Sequence, residues 1–120
     1  MKRDMDLIRE ILLKVEADPR CDGSHWIVFD TSDFPGHAIE EIAYHVDLLF
    51  EASLVKGIGT LDAPVAAISS LTWAGHEFIA NTRDPDVWSK VKERTKGLGT
   101  VGLSLLVELG KAELKKKLGL

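Results

Sequence analysis

The stretch Gly36–Val55, GHAIEEIAYHVDLLFEASLV, decides the fold. Its apolar residues fall at Ile39, Ile42, Ala43, Val46, Leu49 and Phe50, followed by Leu54. The i, i+3, i+4, i+7 spacing is that of one buried stripe on an amphipathic helix. The helix runs straight into an extended apolar segment, Leu54–Thr60, and a second such run, Val65–Leu71, follows the turn Leu61–Pro64. Two short apolar runs around a Pro-containing turn predict a hairpin. A helix feeding a hairpin is the passage from recognition helix to wing in a winged-helix domain. The expected fold is therefore α+β, mostly α: a winged helix with a two-stranded wing and a C-terminal helical extension.

Before this stretch, Lys2–Ala17 reads as a helix with a stripe at Met5, Ile8, Ile11, Leu12 and Val15. Asp4 and Asp6 lie where a helix N-terminus favours negative charge, and Asp18-Pro19 ends the helix. His25–Asp30, HWIVFD, reads as a short third strand, and Thr31–Gly36 as a turn cluster. After the hairpin, Thr72 is the expected N-cap of a helix over Trp73–Thr82, with Trp73, Phe78 and Ile79 as packing residues. Asp84-Pro85 starts another over Asp86–Lys96, with Trp88 and Val91 inward. Gly97-Leu98-Gly99 breaks the chain, and Thr100–Leu118 is the last helix.

A chain of 120 residues supports one core rather than two. The expected organisation is a single domain with a winged-helix core over 1–83 and a helical extension over 84–120. No apolar run approaches the roughly 18 residues of a membrane span. The N-terminus, MKRDMDLIRE, carries acids where a signal peptide needs an apolar segment. A single cysteine, Cys21, forms no internal disulfide, so a cytoplasmic location is the expectation. Charge is divided unevenly. Residues 1–86 carry 7 Lys/Arg against 16 Asp/Glu, a net of −9, and residues 87–120 carry 8 against 3, a net of +5.

The opening MKRDMDLIREILLKVE, the central IAYHVDLLFEASLV, LTWAGHEFI, DPDVWSKVKE and the ending LKKKLGL resemble a family of short, uncharacterised bacterial and phage proteins of unknown function. The resemblance covers nearly the whole chain. It implies a winged-helix-like fold and a bacterial or phage setting, and it supplies no catalytic residues. Two departures bear on local stability. Ala38 stands where the family usually has a helix-starting Ser, leaving capping to Asp33 or Ser32. Ala52-Ser53-Leu54 replaces the usual Ala-Gly-Leu, and Ser adopts a left-handed cap less cheaply than Gly.

Five features could carry function. The exposed face of the central helix is expected to hold His37, Glu40, Glu41, Tyr44, His45, Asp47 and Glu51, with four acids and no Lys or Arg. A recognition helix in the major groove is positioned by cations, so this face disfavours DNA and reads as a solvated acidic face or one that meets a basic protein surface. The basic residues Lys90, Lys92, Arg94, Lys96, Lys111, Lys115, Lys116 and Lys117 could contact phosphate, dock on acids of a second subunit, or simply keep the surface soluble. The last helix presents Leu103, Leu106, Val107, Gly110 and Leu114 on one face and Leu105, Leu109 and Ala112 on the next. That arc is wide enough for a homodimer seam as well as for packing within its own domain.

His37, Glu41 and His45 recur at i, i+4, i+8, but they spread too far along a helix for one ion to bridge end to end, and without outside help only Glu41 with one histidine could share an ion. His25, His76 and Cys21 are scattered, so neither a metal site nor a cofactor is expected. No glycine-rich phosphate loop, nucleophile elbow or paired carboxylates point to an enzyme, and nothing beside Cys21 marks a base. Trp26, Trp73 and Trp88 sit among apolar neighbours and are expected to be core or half-buried. The expected role is a small DNA-binding regulatory or accessory protein, dimeric, acting through its basic C-terminal residues. The alternative is a protein-interaction module using the acidic helix face.

Overall fold

The computed structural model describes residues 1–59, 66–98 and 101–120. Five helices, α1 (Met5–Ala17), α2 (Ile39–Glu51), α3 (Trp73–Thr82), α4 (Pro85–Thr95) and α5 (Leu103–Lys117), accompany two strands, β1 (Val55–Ile58) and β2 (Ala67–Leu71). The fold is α+β and mostly helical, with a two-stranded antiparallel sheet, and is compatible with a winged-helix-like arrangement. The expected turn Leu61–Pro64, and Gly99 and Thr100, lie outside the described residues. The chain forms two compact units, residues 1–76 and 77–120.

In the first unit, α1 is started by Asp4, whose Oδ1 accepts from the N–H groups of Asp6 and Leu7. Of its expected stripe, Ile8, Ile11, Leu12 and Val15 are buried together with Leu7 and pack on α2 and β2, while Met5 is only half-buried. From α2 come Ile42, Val46 and Leu49. Ile39, the first residue of the helix, stays 45% exposed. The expected caps Asp33 and Ser32 do not serve α2. Its N-cap is Ala38, with no side-chain bond, while Asp33 accepts from the Asp30 N–H and Ser32 donates to Asp30.

The C-terminus of α2 carries the cost expected of its serine. Ser53 sits at φ 58, its N–H donates to Phe50 O, and the Leu54 N–H donates to Leu49 O. This pair of bonds is a Schellman turn, in which the left-handed residue is normally glycine. Left-handed strain costs a non-glycine residue roughly 1–2 kcal/mol, whereas glycine loses up to about 1 kcal/mol through its freer unfolded chain. Ser53→Gly is therefore expected to stabilise the protein by roughly 0.5 kcal/mol, read as a higher urea midpoint at unchanged slope.

The hairpin is antiparallel, with Val55 opposite Leu71 and Ile58 opposite Ala67, and a bulge between Lys56 and Gly57. Gly57 at φ 152 lies against the main chain of Ala67, where a Cβ would overlap the carbonyl. Among the described residues, the expected strand His25–Asp30 is reduced to one bridge, Ile27 to Ile68. Its neighbours are committed to local bonds: Ser24 N–H to Asp22 Oδ1, and Ser32 N–H to Asp30 Oδ1. Such side-chain turns compete with a ladder. Thr72 caps α3 as expected, accepting from the Gly75 N–H while donating to Ser53 O.

In the second unit, α4 packs on α5. Val87, Trp88, Val91 and Leu106 are buried with Phe78 and Ile79, and Trp88 meets Phe78 edge-on at 6.3 Å. Asp84 caps α4 through the Asp86 and Val87 N–H groups, with Pro85 at the first helical position.

Candidate functional site

Helix α2 holds no Lys or Arg, and its outer side shows Glu40, Tyr44 and Glu51 exposed and Glu41 and Asp47 half-buried, with half-buried His37 just before the helix. His45 does not belong to that face. It is 0% exposed. The helix turns it onto the start of α1, where its Nε2 accepts the Asp4 N–H at 2.8 Å and its Nδ1 lies 2.8 Å from Glu41 O. A main-chain N–H can only donate and a carbonyl can only accept, so the ring is neutral with its proton on Nδ1. The i+8 position shares the face of His37 only loosely, and burial on α1 settles its direction.

His37 Nδ1 is hydrogen-bonded to Glu41 Oε1 at 2.5 Å. The Glu41 bond, with further attraction from Glu10 and Asp4, pushes the imidazole above its ordinary range, against the effect of burial. Ligand atoms of Asp4, His37 and Glu41 lie within 4.8 Å of one another. The residue missing from sequence reasoning was Asp4, since nothing in spacing shows that the start of α1 meets the start of α2.

The tryptophans divide. Trp88 is buried as expected, but Trp73 is 81% and Trp26 64% exposed. Trp73 is the first residue of α3, and that helix turns Phe78 and Ile79 inward in its place. Trp26 neighbours Ile27 on a segment with a single bridge to the sheet.

The basic residues of the second unit are extensively engaged with acids. Lys90 pairs with Asp86 at 3.4 Å, and Arg94 and Lys116 pair with Glu113 at 3.2 and 3.6 Å. Lys117 reaches Asp84 at 2.5 Å. That bond holds the Asp84 carboxyl below the usual range and Lys117 above it. Lys92, Lys96 and Lys115 are exposed. Glu113, only 6% exposed, was not anticipated, although its i+7 spacing from Leu106 through Gly110 places it on the buried stripe. Of the expected dimer face, Leu106 and Gly110 are buried, while Leu103, Val107 and Leu114 are half-buried. Cys21 is half-buried, and burial pushes its thiol up, away from nucleophilic character.

Residues 2–101 match the family described as Hypothetical protein (DUF2513). The chain belongs to this family. The DUF2513 chain is also 37% identical over 98 residues to an uncharacterized protein of Haemophilus influenzae, the match covering 80% of each chain. No solved structure matches the DUF2513 chain. None of its described helices is long and apolar enough to cross a membrane.

Proposed function

We propose that the protein is a non-enzymatic interaction module, cytoplasmic, whose unit 1–76 binds a basic protein surface. The observation that carries this reading is the character of that unit's surface. It holds 6 Lys/Arg against 13 Asp/Glu, a net of −7, yet exposes Trp26, Trp73 and Tyr44. Aromatic side chains in a charged surround are what interface anchors are made of: they bury much area at little entropic cost, while the charges steer the partner. A DNA reading is favoured by the exposed Lys92, Lys96 and Lys115 together with the winged-helix-like arrangement. It is opposed by the acidic α2 and by the acids that hold Lys90, Arg94, Lys116 and Lys117.

Two measurements on the full chain separate the readings. Titration of a labelled random duplex across a salt series is expected to show no binding even at low salt. Binding that weakens steeply with rising salt would transfer the function to DNA. Partner capture with the wild type is expected to yield a basic protein that is lost with Trp73→Ala and with Glu40→Lys/Glu51→Lys. Equal recovery by all three would sink the acidic-surface reading.

A further inference from the structure

We propose that Asp4, His37 and Glu41 form a binding site for a divalent first-row metal ion, zinc being the probe that suits them best. The three residues come from the N-terminal ends of α1 and α2, are each half-buried, and bring one ligand atom apiece within 4.8 Å of the others. Imidazole and carboxylate ligands bind zinc at roughly 2.0–2.2 Å, so in a tetrahedral shell two ligands of one ion lie roughly 3.3–3.6 Å apart. Side-chain rotation must open the 2.5 Å contact of His37 Nδ1 with Glu41 Oε1 and bring the three ligand atoms to that spacing. One nitrogen and two carboxylate oxygens suit zinc or its neighbours, whereas magnesium and calcium take oxygen alone.

Part of the support for the site comes from outside the ligand side chains. The wholly buried His45 accepts the Asp4 N–H and donates to Glu41 O, so one ring fixes the main chain of both carboxylate residues. Outer groups of this kind hold ligands in place. Asp4 is held again by its bonds to the Asp6 and Leu7 N–H groups. On binding, the ion takes the place of the direct hydrogen bond between His37 Nδ1 and Glu41 Oε1. This site departs from the expectation of none because Asp4, distant in sequence, replaces His45 as the third ligand.

The test is calorimetric titration of the chelator-treated full-length chain with zinc and, separately, magnesium. The expected result is one zinc per chain and magnesium weaker by at least about tenfold. His37→Ala and Glu41→Gln, each checked for native far-UV circular dichroism, should weaken zinc by at least roughly tenfold. The double variant Cys21→Ser/His25→Ala, which removes the half-buried thiol and the exposed imidazole, should bind as the wild type does. No zinc uptake by the wild type overturns the proposal. So does unchanged uptake by both folded ligand variants, or loss of binding in the double variant.

Discussion

Gly110→Ala is expected to destabilise the protein by about 2 kcal/mol, a fall of roughly 10 °C in Tm. In an exposed helix interior the same change would stabilise by up to about 1 kcal/mol, because alanine is the better helix former. Here the added methyl would overlap the main-chain oxygen of Asn81 and crowd its Cβ, so α5 must move away from the end of α3. The obstacle is backbone, which cannot rotate aside as a side chain can. Asn81 is itself held, donating from Nδ2 to Glu77 O at 2.8 Å, and Thr82 beside it is wholly buried. Ser104→Ala, on an exposed position of the same helix, is the control and should leave Tm unchanged or slightly raised. The sign of the Gly110→Ala effect also tests the role of the last helix. If Gly110 faced a second copy of the chain, the substitution would show chiefly in sedimentation, as an altered monomer–dimer equilibrium. With Gly110 against Asn81, it shows as lost stability at any concentration.

Legibility in the sequence followed the range of the forces involved. Local signals carried well: the stripe of α1, the Asp84-Pro85 start of α4, the Thr72 cap and the left-handed burden on Ser53 each depend on residues within a turn or two. Three misreadings have one cause. His45 looked like part of an exposed face, Trp73 and Trp26 looked like core, and HWIVFD looked like a full strand. In each, residue type suggested an environment that tertiary contacts or local side-chain bonds then overrode. A polar ring becomes buried when it has a donor and an acceptor waiting for it, and a large apolar ring stays outside when its neighbours fill the interior. The cluster of Asp4 with His37 and Glu41 was invisible for a related reason, since 33 positions separate Asp4 from the nearer of them and only the packed pair α1–α2 brings them together.

The same packing makes the loss of the His45 side chain costly. His45→Ala is expected to destabilise by roughly 3 kcal/mol. It removes a fully buried ring, leaves space beside α1, and strands both the Asp4 N–H and Glu41 O. His45→Asn divides this loss. An asparagine side chain in a helix can donate to the carbonyl four residues back, as Asn81 does to Glu77 O. His45→Asn can therefore keep the bond to Glu41 O but cannot reach Asp4, so the Asp4 N–H alone is orphaned. Its expected cost is about 2 kcal/mol. His45→Leu keeps the volume and restores neither bond, and should fall between the two. Urea unfolding of the three variants gives the order Asn, Leu, Ala from mildest to worst. If Leu were as stable as the wild type, the hydrogen bonds would contribute nothing and His45 would be only a space-filling ring. The order matters because Asp4 caps α1: a free Asp4 main chain loosens the first turn of that helix, and with it the point at which α1 and α2 are joined.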